Sequence, residues 1–327
     1  MSKPKLALYW AASCGGCEVA VLDIAEKILD VAGFFDIVFW PCAMDFKYKD
    51  VEAMPDASID LCLFNGAIRN SENEALAHLL RRKAKVLVAF GSCAMDGCIP
   101  GLANLTTREE IFENSYQQTP STLNPEKTRP VPQFAAPEGE LDIPKMYESV
   151  RTLAQVVPVE YFIPGCPPQP TQILNVMSAI MQGAVLPPAG SVIGAGDKTC
   201  CEECGRPRKE KHVKRFYRVW EIEPKQEECL LDQGIICMGP ATRSGCGALC
   251  VKANMPCRGC YGPAPNVIDQ GAKMISALSS VIDLQEPVEI NAVLDQIADP
   301  VGTFYRFSVP NSMLYRKQTG AGTERHR

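Results

Sequence analysis

Histidine is almost missing from this chain. Among 327 residues there are three, His78, His212 and His326, so zinc sites of mixed Cys/His type have few imidazoles to draw on. Positive charge is not in excess: 33 Lys and Arg stand against 38 Asp and Glu, a net charge of −5. Nothing here suggests the basic face that nucleic acid requires. No apolar run approaches the roughly 20 residues of a membrane span. The opening "MSKPKLALYW" has no apolar signal core with a small-residue cleavage site and no twin-arginine pair, so the expectation is a cytoplasmic protein. The C-terminal "YRKQTGAGTERHR" is polar and expected to fray. With 46% hydrophobic and 22% charged residues the chain can bury a core, and its length suggests two domains.

Cysteine is what the chain has in quantity, sixteen in all. In a reducing compartment disulfides are rare, and clustered thiols more often bind metal. With so little histidine an all-thiolate site is favoured, either zinc on four thiolates or an iron–sulfur cluster.

The first half alternates strand and helix. "KLALYW" (5–10) is a continuous apolar run of strand length, and "DIVFW" (36–40), "IDLCLFNG" (59–66), "KVLVAFG" (85–91) and "VVPVEYFIPG" (156–165) read the same way. "EVAVLDIAEKILDVAG" (18–33) has helical spacing and closes on glycine, which predicts one helix. "SENEALAHLLRRKA" (71–84) opens with Ser71 and Glu74 at capping-box spacing, and "PTQILNVMSAIMQGA" (170–184) is a further helix. Continuous apolar strands between helices indicate a parallel sheet covered on both faces. The expected fold is α/β, a flavodoxin-like doubly wound parallel sheet. Residues 106–144 interrupt it with a proline-rich excursion, either a plain insertion or a partner-facing loop. "LPPAGSVIGAGDKT" (186–199) is a break in composition. It divides the chain into a flavodoxin-like domain, 1–190, and a loop-rich, ferredoxin-like iron–sulfur domain, 191–327, with one full helix at 266–283.

Open α/β sheets bind ligands outside the carboxyl ends of their strands, and cysteines follow three of these strands. Cys14 and Cys17 follow the first, Cys93 and Cys98 follow "KVLVAFG", and Cys166 follows "VEYFIPG". Cys14, Cys17, Cys93 and Cys166 would place four thiolates on one sheet edge. Cys98 competes with Cys93, which is preferred because it sits directly in the strand-end turn. Gly15, Gly16 and Gly165 let the backbone approach closely, and Cys17 opens a helix whose dipole favours a thiolate. A thioredoxin-like pair at Cys14 and Cys17 is the alternative, and it leaves the other strand-end cysteines idle.

Eight more cysteines lie between 201 and 260. The C-x2-C pairs Cys201/Cys204 and Cys257/Cys260 would each seed a cluster, and Cys229, Cys237, Cys246 and Cys250 complete two sets of four. A structural zinc ribbon is the competing reading. The C-x7-C spacing of Cys229 and Cys237 suits it poorly, but ligand type alone does not separate iron from zinc. Cys200 is an alternative to Cys201. Cys42 and Cys62 read as core residues, as do Tyr9, Trp10, Phe39 and Trp40. "RPRKEKHVKR" (206–215) is either a solvated charged loop or a basic surface that steers an acidic redox partner.

Together, "SCGGCE", "GSCA", "PGCPPQP", "CEEC", "CLLDQGIICMGP" and "CRGC" resemble the small subunit of NiFe hydrogenases over nearly the whole chain. The resemblance implies a proximal 4Fe–4S cluster on Cys14, Cys17, Cys93 and Cys166, next to a partner large subunit that holds the nickel–iron centre. It implies a distal cluster on Cys201, Cys204, Cys229 and Cys237, and a medial cluster on Cys246, Cys250, Cys257 and Cys260. Many members of that family have a histidine where Cys201 stands and a proline near the place of Cys250. Thiolates at both positions imply three all-cysteine 4Fe–4S clusters. Lacking a leader and a membrane helix, the sequence looks like the cytoplasmic group that includes the methyl-viologen-reducing and deazaflavin-reducing enzymes. It is more similar to the former, whose small subunit passes electrons through a 2Fe–2S subunit to a heterodisulfide reductase.

The resemblance implies a chain that carries single electrons and does not itself split hydrogen. Glu18, directly after Cys17, is a candidate proton relay or an ordinary first-turn helix acid. Two other classes compete. A single-cluster subunit of a complex I-like oxidoreductase shares the flavodoxin-like domain and the "CPP" turn, but nine cysteines after Ala195 count against it. A zinc-stabilised interaction protein would have no redox role. Iron content and absorbance near about 400 nm separate the three.

Overall fold

The computed structural model describes residues 3–209 and 213–317. The middle of the basic stretch, with His212, and the polar tail, with His326, lie outside the described residues. Ten strands are described. β4 (Ile68–Asn70) pairs antiparallel with β8 (Met146–Arg151), and β6 (Gln133–Ala136) with β7 (Gly139–Asp142). The other six are β1 (Lys5–Trp10), β2 (Asp36–Phe39), β3 (Ile59–Asn65), β5 (Ala84–Phe90), β9 (Tyr161–Ile163) and β10 (Ser191–Val192). They form one sheet in the order β10-β9-β5-β3-β1-β2, and every pairing is parallel. Numbered along the chain within that sheet, this is the 2-1-3-4-5 order of flavodoxin-like folds with one edge strand added. The chain reverses direction across the sheet between β1 and β3.

Side chains along each strand alternate between two cores, as strand geometry requires. Ala7, Tyr9, Cys62, Phe64, Leu87 and Ala89 face one core, with Leu76, Ala77 and Leu80 of the helix Ser71–Lys83. Leu6, Leu8, Leu61, Leu63, Val88 and Phe90 face the other, with Ala20 and Val21 of the helix Gly16–Leu22 and Ile173, Val176 and Met177 of Pro170–Met181. Registers of Trp10 with Asn65, Asn65 with Phe90 and Phe90 with Ile163 bring the carboxyl ends of β1, β3, β5 and β9 level.

Three local readings change. The single helix expected at 18–33 is two, Gly16–Leu22 and Ile28–Phe34, joined through Ala25 at φ 55°. A non-glycine residue in the left-handed region ends a helical run that apolar spacing alone does not mark. The cap of Ser71–Lys83 is Asn70, whose side chain accepts from Asn73 N at 2.8 Å. Ser71 Oγ instead accepts from Lys145 N, and Glu74 pairs with Arg151 at 2.8 Å. The excursion contains a short helix, Arg108–Glu113, and the exposed β6–β7 hairpin.

After Val192 regular structure thins to short helices and isolated bridges, as the loop-rich expectation has it. Gln270–Val281 is the long helix of this half, capped by Asp269, which accepts from Ala272 N at 2.8 Å. Its Met274 and Leu278 pack on Leu230, Leu231, Ile235 and Met238, and the same core takes in Cys200, Cys237 and Cys257.

Candidate metal centres

The first thiol group is built where β1, β5 and β9 end. Cys17 enters its helix and turns inward against Gly91. A Cβ at Gly91 would stand 2.4 Å from Cys17 Sγ, and Gly91 has φ +82°. Glycine alone fits such a position. Burial raises the Cys17 thiol pKa, and the neighbouring Cys93, Cys166 and Cys14 raise it further, so the four strand-end cysteines are gathered together. Cys98 joins them. It is fully buried, its thiol donates to Cys166 Sγ at 3.6 Å, and Cys93 also lies in reach. Sequence reasoning made Cys93 and Cys98 competitors; the fold brings both to the site. Trp10, expected in the core, is 45% exposed. Its indole covers the loop, with Nε1 donating to Ser13 O at 3.1 Å and ring carbons 2.8 Å from where a Cβ on Gly15 would lie.

Cys246, Cys250, Cys257 and Cys260 form a second group, each within electrostatic range of the others. Cys260 and Cys166 both pack on Cys93, Cys98 and Phe307, the two thiols lie within electrostatic range of each other, and Ser92 Oγ donates to Cys260 O. At the far side the Cys257 N–H donates to Cys237 Sγ at 3.3 Å. Cys200 stands among these four, paired with Cys246 and Cys257. That pairing lowers the pKa of both partners and raises that of Cys200.

Cys201, Cys204, Cys229 and Cys237 line a cavity of about 350 Å³ with Cys200, Arg208, Leu230 and Pro240, so Cys200 stands between this group and the second. Gly239 forms one wall: a Cβ there would meet Cys201 Sγ at 3.1 Å and Cys237 Sγ at 3.6 Å. Burial pushes the Cys201 thiol up to about 12, with Arg208 opposing. Arg206, from the basic stretch, faces inward. Its guanidinium donates to Glu228 O at 3.1 Å, Lys225 O at 3.3 Å, Val251 O at 2.9 Å and Asn254 Oδ1 at 3.0 Å. It ties the loops around this cavity, while Arg208 and Lys209 stay exposed and pair with Glu202 and Glu228.

Among the described residues no three His, Cys, Asp or Glu side chains are drawn around a point where one ion would sit. The sulfurs stand around spaces instead, as at the Cys201 cavity. Thiols gathered in three groups, with glycine where a side chain would intrude, fit the donor set of iron–sulfur clusters.

Glu18 is buried. Its carboxylate accepts from Trp40 Nε1, from Asn65 Nδ2 at 3.5 Å and from Cys42 Sγ at 3.5 Å. Burial raises its pKa and these donors oppose the rise. It is therefore no ordinary surface acid of a first helical turn. Cys42, expected in the core, is exposed, and its thiol reaches this carboxylate. Cys62, Tyr9, Phe39 and Trp40 are buried as expected. Neither the part of Asn65 nor that of Trp40 at this carboxylate is marked by a sequence motif. The available signal was that Asn65 closes β3 beside β1, at the reversal of strand order.

The sheet and its thiol-bearing edge define an oxidoreductase subunit of the hydrogenase type. Residues 14–180 match the family of the NADH ubiquinone oxidoreductase 20 Kd subunit. The iron–sulfur subunit of the F420-non-reducing hydrogenase of Archaeoglobus profundus is 44% identical over 323 residues, covering 96% of this chain and 98% of that protein. The corresponding chain of the F420-non-reducing hydrogenase of Methanothermobacter marburgensis is 37% identical over 322 residues, 96% of this chain and 97% of that protein. In fold, the NiFeSe hydrogenase of Desulfovibrio vulgaris Hildenborough is similar at a TM-score of 0.50 and 18% identity, over 81% of this chain and 95% of that one. The chain belongs to the family of NiFe hydrogenase small subunits, alongside those of the F420-non-reducing hydrogenases.

Proposed function

We propose that this chain relays single electrons through three 4Fe–4S clusters, between a partner large subunit that oxidises hydrogen and an external acceptor. Cys14, Cys17, Cys93 and Cys166 would hold the proximal cluster, Cys246, Cys250, Cys257 and Cys260 the medial one, and Cys201, Cys204, Cys229 and Cys237 the distal one. The observation that carries this is the order of the groups. Cys260 packs on Cys93, Cys98 and Phe307 alongside Cys166, and the Cys257 N–H reaches Cys237 Sγ. The medial set thus touches both neighbours and divides one long electron path into short steps.

When bound, each cluster supplies a one-electron redox centre whose potential the protein sets through burial, hydrogen bonds to sulfur and net charge. The chain buries Cys17, Cys93, Cys237 and Cys257 while Cys14 stays exposed, which suits an edge where a large subunit would dock. Glu18, one residue from Cys17 and held by Trp40, Asn65 and Cys42, is placed to hold a proton beside that edge. The motif resemblance to the methyl-viologen-reducing group makes a 2Fe–2S subunit and a heterodisulfide reductase the proposed acceptors, in the cytoplasm. No described helix is long and apolar enough to cross a membrane.

Iron and sulfide analysis of the anaerobically purified complex tests this, with paramagnetic signals followed during reduction. About twelve irons per chain are expected. About four would favour the single-cluster type, and zinc without iron would end the redox reading.

A further inference from the structure

The proximal thiol group holds one cysteine more than a four-iron cluster needs, Cys98. We infer that Cys98 is a positioning residue, an un-ligated S–H donor to the ligand sulfur of Cys166 with Cys93 beside it, and that it raises the reduction potential of that cluster. The inference rests on the cluster reading above and deepens it.

Geometry carries it. The Cys98 thiol points at Cys166 Sγ, 3.6 Å away, as donor, and Cys98 is 0% exposed, so no water competes for the bond. Its backbone sits at φ 44°, a conformation glycine would adopt more cheaply. The segment that follows keeps it there. The Cys98 N–H donates to Phe307 O at 3.1 Å, and Pro310 packs so tightly on Gly97 that a Cβ there would lie 2.3 Å from its ring. A side chain is thus held at a glycine-like position, in contact with a ligand.

Reduction adds one electron and no proton, and the added charge spreads onto the ligand sulfurs. A donor aimed at those sulfurs stabilises the reduced form, and hydrogen bonds to sulfur are among the groups that set such potentials.

The test is an anaerobic redox titration of the purified complex carrying the full chain, read by electron paramagnetic resonance with iron counted in parallel. Cys98→Gly removes the thiol and relaxes the backbone, so it should fold. Cys98→Ser retains a donor. With Cys98→Gly the reduced-to-oxidised ratio of the proximal cluster at fixed poise should fall roughly two- to tenfold, the range for one lost hydrogen bond. Cys98→Ser should restore most of it, and iron content should not change. The medial and distal clusters should be unmoved. An unchanged proximal potential in Cys98→Gly would overturn the inference while leaving the clusters standing. Loss of about four irons in Cys98→Gly would make Cys98 a ligand and overturn it too. A wild-type complex without iron would instead defeat the cluster reading itself.

Discussion

The two halves of this molecule solve one problem in opposite ways. Both must hold thiols around a space. The sheet half sets the ends of β1, β5 and β9 level by backbone pairing alone, and of its ligand cysteines only Cys17 belongs to its two cores, which are otherwise mainly aliphatic and aromatic. In the C-terminal half Cys200, Cys237 and Cys257 are core residues, with Cys204, Cys229 and Cys246 packed against them. There the ligands and the core are the same side chains. One half is a scaffold that carries a site; the other is a fold that the site helps to make.

The largest effect should come from stripping iron anaerobically with a chelator. A site that supplies its own half's core couples metal binding to folding. Amides of β1, β3 and β5 should keep their hydrogen-exchange protection, while those of 200–260 lose most of theirs. Equal loss in both halves would erase the distinction.

Gly91→Ala attacks the scaffolded site. The new Cβ falls on Cys17 Sγ, with the backbone at φ +82°. We expect loss of the proximal cluster alone, about a third of the iron, with near-native thermal stability of the rest. Loss of all the iron would mean that the halves are not separable.

The sheet half was the more legible in sequence, and the reason is physical. Parallel strands buried on both faces must be continuous apolar runs, so 5–10, 59–66 and 85–91 could be marked within a residue of their observed ends. The cysteines after them inherit that certainty. Tertiary devices that need no local pattern stayed hidden, such as the left-handed Ala25, the Asn70 cap and Trp10 lying over Gly15. In the C-terminal half spacing identified the thiols but not their surroundings. That Arg206 faces inward depends on four acceptors drawn from 225–228 and 251–254, which no single window of sequence brings together.

That arginine sharpens the comparison further. Arg206→Ala removes four bonds that tie the loops beside the distal cavity, three of them to carbonyls that also accept from Gln233 Nε2 or Asn254 N, at a cost of about 2 kcal/mol. Arg208→Ala removes one exposed pair, with Glu202 at 3.7 Å, and should cost under about 1 kcal/mol. Denaturant midpoints of the two variants check this. A near-equal loss would mean that the whole basic stretch acts as a solvated loop.

The smallest expected effect probes the seam between the halves. Asp96 is fully buried there, its Oδ1 accepting from Asn311 Nδ2 at 3.1 Å and its Oδ2 without a hydrogen-bond partner. Burial raises its pKa to about 6, against the pull of Asn311 and Arg243. Between about pH 4, where an unfolded aspartate releases its proton, and pH 6 the folded carboxyl still holds one. The stability this gives is complete below that window and is lost as pH rises through it. Asp96→Asn has no proton to lose and can still accept from Asn311. Relative to wild type it should therefore gain on the order of 2 kcal/mol between about pH 4.5 and about pH 7.5. The comparison is the difference in denaturant midpoint between variant and wild type at the two pH values. A difference that stays flat, or turns against the variant at the higher pH, would mean that Arg243 neutralises the ionised carboxylate well enough for the seam to tolerate its charge.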